Sequence, residues 1–137
     1  MRERCGVAGV RRPALFAVAA VLLLAGCAPA ATTDVQTAAR DFQAAVRADD
    51  SRAACGMLSE QARSSLELTS ARPCAAALTA LKLPSGQPGM VEVWGDNAQA
   101  RLSTGALFLA KYPAGWRISG AGCQRQPNQT YDCAVRS

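Results

Sequence analysis

Few residues in this chain are able to do chemistry, and most of those are cysteines. There is no histidine, so a Ser-His-Asp triad, a Cys-His pair and a His-bearing zinc site are all excluded. The thiols of Cys5, Cys27, Cys55, Cys74, Cys123 and Cys133 allow acylation, disulfide formation or metal coordination. The last four make no C-x-x-C pair and their gaps are long and irregular. A catalytic dithiol therefore has no motif here, and a four-thiolate zinc site is the weaker rival of two disulfides. Among the acids after residue 26, Asp34, Asp49 and Asp50 fall at helix starts, Asp41, Glu60 and Glu67 on solvated helix faces, and Asp96 and Asp132 in turns. Only Glu92 falls in a strand, where parity gives it the same face as Met90 and Trp94. Turned into a closed interior, Glu92 would be a buried general base with Tyr112 as partner. Turned to solvent, it would pair with Arg101, Lys111 or Arg117 for under ~1 kcal/mol, which is the expected arrangement. Trp94, Phe108, Tyr112 and Trp116 complete a candidate ligand pocket around Glu92, although core or rim packing accounts for the aromatic rings first.

The thiol of Cys27 has the most specific setting. Arg2, Arg4, Arg11 and Arg12 precede an uncharged apolar run from Ala14 to Leu24, the pattern of an export signal spanning residues 1–26. The run is too short to span a bilayer, which takes ~20 apolar residues. It ends in Leu24-Ala25-Gly26-Cys27, which closely resembles the lipobox of bacterial lipoproteins. That resemblance implies that Cys27 takes a diacylglyceryl group before cleavage, with N-acylation, for example by palmitate, able to follow. Ala28-Pro29-Ala30 leaves open an ordinary signal-peptidase site with Cys27 an incidental thiol. Acylation at two or more chains gives stable anchoring where one does not. Arg11-Arg12 resembles a twin-arginine export signal only weakly, because Pro13 and Ala14 follow it.

Removing the leader changes the charge argument. It holds four of the 15 basic residues and one of the 10 acids, so a formal charge of +5 falls to +2. The mature chain is then not basic enough to argue for a nucleic-acid partner. Cys5 leaves with the leader and Cys27 goes to lipid, leaving an even set of four in an oxidising compartment. Three connectivities exist. Pairing Cys55 with Cys74 and Cys123 with Cys133 is expected, since each bridge closes a short local loop worth about 2 to 3 kcal/mol.

These groups must be positioned by a domain of ordinary single-domain size. Residues 27–33 make a small-residue tether reaching at most ~25 Å. Residues 34–137 form the one domain. Val35, Ala38, Ala39, Phe42, Ala45 and Val46 make one helical stripe, with Thr33 or Asp34 as N-cap. Asp49-Asp50-Ser51 ends that helix and caps a short second one, Ser59 caps a third over Glu60 to Leu66, and Pro73 opens a fourth carrying Cys74, Ala77, Leu78 and Leu81. After the Pro-Gly stretch from Pro84 to Gly89 the period becomes two. Strands are expected around Met90 to Val93, over Ala98 to Leu102, Ala106 to Tyr112 and Trp116 to Ala121, joined by tight turns into an antiparallel meander. Ala106 to Ala110 is apolar throughout, which predicts a central strand covered on both faces. Gln124 to Thr130 is a polar loop, and Cys133 ties the tail beyond it back to Cys123. The fold class is α+β, with helices packed on a curved antiparallel sheet.

Ala53 to Ser59, Val93-Trp94-Gly95-Asp96, Leu107-Phe108-Leu109, Gly115-Trp116-Arg117-Ile118, Gly122-Cys123 and Tyr131-Asp132-Cys133 resemble the recurring blocks of a family of uncharacterised actinobacterial lipoproteins. The Arg-for-Lys, Ala-rich composition agrees with a GC-rich bacterial source. The family is similar to the cone-shaped nuclear-transport-factor-two-like fold, which also includes ketosteroid isomerases and polyketide cyclases. The resemblance covers about residues 34–137 and both cysteine pairs; it implies a fold and a location but no activity. Enzymes of that fold use a carboxylate with His or Tyr in the mouth of the cone, and this chain has no His. The expected function is a lipid-anchored, non-enzymatic binding or interaction domain of the cell envelope, held on the outer face of the cytoplasmic membrane through Cys27, for an envelope protein or a small apolar ligand. No cofactor and no metal is expected. The alternatives are an isomerase- or cyclase-type enzyme using Glu92, and a purely structural envelope protein.

Overall fold

A computed structural model describes residues 30–137. The leader, the Cys27 assignment and the first part of the tether lie outside the described residues. Four helices come first: α1 (Ala30–Arg47), α2 (Ser51–Met57), α3 (Glu60–Ser70) and α4 (Cys74–Leu81). Five strands follow: β1 (Pro88–Trp94), β2 (Asn97–Leu102), β3 (Gly105–Tyr112), β4 (Gly115–Arg125) and β5 (Tyr131–Arg136). They form one open antiparallel sheet in the order β1-β2-β3-β4-β5. The fold is α+β, and among the described residues no helix is long and apolar enough to cross a membrane.

Local sequence explains most of the helical boundaries. The Asp50 carboxylate accepts from the Ala53 N–H at 3.0 Å and the Ser59 hydroxyl from the Ala62 N–H at 3.1 Å, each capping a helix that would otherwise begin with unpaired donors. The first helix departs from expectation. It begins at Ala30 instead of after an N-cap at Thr33 or Asp34, so residues assigned to the tether are already helical. Alanine is the strongest helix former, and within this stretch the Thr37 hydroxyl is satisfied by donating to the Thr33 carbonyl at 3.0 Å. The third helix runs one turn past Leu66, its Thr69 and Ser70 hydroxyls donating to carbonyls of the preceding turn. Pro73 is the residue before α4 and not within its first turn.

The helices cover one face of the sheet. Val35, Ala39 and Phe42 of α1, Leu58 between α2 and α3, Ala62 and Leu66 of α3, and Ala77 and Leu78 of α4 pack on Ala98, Ala100, Leu107, Leu109, Ile118, Ala121 and Val135. Strand parity accounts for the sheet side, because Val91, Val93, Ala98, Ala100, Leu107 and Leu109 meet across the β1-β2-β3 register. Burying each large apolar side chain stabilises the domain by about 1.5 to 3 kcal/mol. β4 is bulged at two places, and at one of them the Ser59 N–H donates to the Ile118 carbonyl at 2.7 Å, joining the α2–α3 corner to the sheet.

Both disulfides are present. Cys55 and Cys74 are 19 residues apart and staple α2 to α4; Cys123 and Cys133 are 10 apart and face each other across β4 and β5. The tail after the polar loop is a fifth strand, not an irregular stapled segment, and β4 extends to Arg125 to meet it. β3 is central, but helices cover only one of its faces. On the other, Phe108 and Ala110 are half-buried by neighbouring strands' side chains.

Candidate functional site

The side chains expected to form a pocket are distributed over different parts of the sheet. Glu92 points away from the helices, opposite Gln99 in the register, and its Oε1 lies 3.9 Å from Arg101 Nη2. Both side chains are about half exposed, so solvent screens the pair and it contributes under ~1 kcal/mol. Trp94 shares that face at the sheet's edge, half exposed. Trp116 pairs with Lys111 and lies partly buried against the helical side, where it lines a small cleft with Ala38, Asp41 and Met57. Tyr112 stands at the end of β3, and its hydroxyl donates to Gln61 Oε1 on α3 at 2.8 Å. Glu92 and Tyr112 thus have different partners and are not brought together.

Phe108 is the member of the set with the most developed surroundings. Its ring meets that of Tyr131 edge-on, centroids 5.2 Å apart, and Gln99 Nε2 donates to the Tyr131 hydroxyl at 2.9 Å. Gly120 keeps the next position open, since a Cβ there would lie 3.4 Å from both Phe108 Cβ and Cys123 Sγ. The helix-free face therefore carries an organised patch: Phe108 and Tyr131 over the Cys123–Cys133 bridge, buried Gln99 fixing the tyrosine, and the Glu92–Arg101 pair and Trp94 toward one edge. Edge-to-face aromatic pairs of this kind add about 0.5 to 1.5 kcal/mol beyond burial. Sequence reasoning missed Gln99 and Tyr131. The available signal was a polar residue between two core alanines, Ala98 and Ala100, on the opposite parity.

The clefts lie elsewhere. One of about 340 Å3 lies among α1, α2 and α4, bordered by Val46, Ala54, Leu78 and Leu83 with Asp49 and Lys82. A more open, polar one of about 580 Å3 lies beside α3 and includes Arg63, Glu67, Tyr112 and Arg117. Three of its charged groups, Arg63, Glu67 and Arg117, are engaged structurally. Arg117 Nη1 donates to the Gly56 carbonyl at 2.7 Å, and Glu67 accepts from the Cys74 N–H at 3.1 Å while lying 3.6 Å from Arg63. Glu67, expected on a solvated face, thus supplies the acceptor that the start of α4 needs. Among the described residues no group of three or more acids or cysteines is arranged to hold a metal ion.

Compared with known proteins, the chain matches no family model, no curated protein and no solved structure.

Proposed function

We propose that this protein is a lipid-anchored envelope lipoprotein whose folded part is a non-enzymatic interaction domain on the outer face of the cytoplasmic membrane. The observation that carries the reading is the filling of the space between helices and sheet. Phe42, Leu107, Leu109, Ile118, Val35 and Val135 are fully buried there, while Glu92 stands in solvent on the other side. A small-molecule isomerase or carrier built on such a layer needs a cavity at that place with convergent polar groups. A domain whose interior is packed works through its surface, and the helix-free sheet face is the surface with organised aromatic and charged groups. The helices-then-meander order also supports the cone-shaped nuclear-transport-factor-two-like reading, with the interior of the cone occupied by side chains. Leu24-Ala25-Gly26-Cys27 supports the anchor and the location.

Site-specific photo-cross-linking in intact cells tests this reading. A photoreactive residue at Arg101, on the sheet face, is expected to give discrete protein adducts, and one at Glu60, on the exposed start of α3, is expected to give none. Equal adducts from both positions, or none from Arg101, would contradict it.

A further inference from the structure

The way α1 lies on the sheet determines which end of the domain is next to the lipid. Only Ala28 and Pro29 separate Cys27 from Ala30, and at ~3.8 Å per Cα step the two ends of that link are at most about 11 Å apart. The end of the domain that carries Ala30 is therefore the end held at the bilayer, given the lipid anchor at Cys27 on which this inference rests.

The strands define two ends. Trp94 pairs with Asn97, Asn97 with Ala110 and Ala110 with Arg117, so one end holds the Gly95-Asp96 and Pro113-Ala114 turns. Pro88, Leu102, Gly105 and Cys123 lie toward the other. The late part of α1 belongs to this second end. Gln43 Oε1 accepts from the Gly86 N–H at 2.7 Å, and Gly86 abuts Leu102 and Thr104. Ala45 and Val46 share a cleft with Leu83, which sits against Gly122. Earlier in the helix, Ala38 and Asp41 instead border Trp116 and Ile118. The helix thus runs from the first end to the second, and Ala30 lies about 12 Å beyond Ala38 on the first, at 1.5 Å per residue.

That first end also holds both tryptophans of the chain. Trp94 is half exposed and Trp116 partly buried, and Lys111 and Tyr112 stand beside them. Tryptophan and tyrosine favour the headgroup level of a bilayer, where an apolar ring and a polar N–H or O–H are both satisfied, and lysine reaches out from the same depth. The charged groups around this end include the acids Asp34, Asp41, Glu60 and Asp96 beside Lys111 and Arg117, so it is not a basic patch. Attraction to anionic lipid is therefore not what holds it. Among the described residues the most exposed large apolar side chain, Leu68 at 83 %, lies toward the opposite end, since α3 begins beside Tyr112 and its last turns share a cleft with Ala134. We propose that the Trp94–Trp116 end docks on the phospholipid bilayer that holds Cys27, with Trp94 seated among the headgroups.

The test uses the full lipidated protein in phosphatidylcholine vesicles with brominated acyl chains. Trp116→Phe leaves Trp94 as the sole reporter. Its emission should shift to the blue and fall roughly twofold in brominated vesicles, as expected for a ring at the interface. Wild type, whose two tryptophans share this end, should respond in the same direction without any substitution. A Leu68→Trp reporter in a Trp94→Phe/Trp116→Phe background should not respond. Trp94 as open to aqueous acrylamide on vesicles as in soluble Cys27→Ala protein would overturn the proposal, as would equal quenching of both reporters. Acyl mass measured on the same sample separates the failures: acylated, vesicle-bound protein with Trp94 in water refutes the docking alone, and protein without acyl groups refutes the anchor as well.

Discussion

Glu92 is where an enzyme and an interaction domain make opposite demands. A base for proton transfer must be shielded and aimed at a substrate, whereas Glu92 lies beside Arg101 on an open face with both side chains about half exposed. Replacing Glu92 with Gln should therefore shift unfolding stability by less than ~1 kcal/mol in urea denaturation and leave the circular dichroism spectrum unchanged. A loss well above that would show a structural or functional role that the geometry does not contain. At this scale strand parity made the face of Glu92 legible, and an even thiol count made the disulfides legible. Glu67 was not, because the donor it satisfies, the Cys74 N–H, is brought to it by the α3–α4 turn and not by helical spacing. Gln99 was equally hidden, since its partner Tyr131 comes from three strands further across the sheet.

Among the elements, the turns carry strict requirements. Gly105 starts β3 at φ +142°, and a Cβ there would stand 2.4 Å from the Cys123 carbonyl oxygen of β4. Backbone cannot yield as a flexible side chain can. Gly105→Ala should cost at least about 1 to 3 kcal/mol, the range for a residue forced into a forbidden backbone region, and should lower the midpoint of thermal unfolding. An unchanged midpoint would show that the strand junction is looser than described. The helical elements were legible because Asp50 and Ser59 are cap residues immediately before apolar periodicity. The start of α1 was not, since Ala30 and Ala31 read as tether by composition and as helix by propensity. β5 was missed for a different reason. Tyr131 to Arg136 is short and follows a polar loop, and it becomes a strand by pairing with an extension of β4 that the sequence placed in the loop.

For the molecule as a whole, the α+β layering followed from the switch in period after Gly89, because a helical half with one apolar stripe and a meander with one apolar face can bury both only against each other. How that layer is filled was not legible, since filling depends on which side chains interdigitate across the two halves. Phe42 and Leu107 do so with no exposure to solvent. Under the proposed reading, a packed layer between helices and sheet leaves the surface to act, with the anchor at Cys27 holding it at the membrane. Intact-mass measurement of the protein extracted from membranes tests that anchor most directly. The predicted result is a chain beginning at Cys27 and carrying a diacylglyceryl group, converted by Cys27→Ala to an unacylated precursor or an alternatively cleaved soluble form. A wild-type mass that shows cleavage elsewhere and no acyl chain would contradict the account.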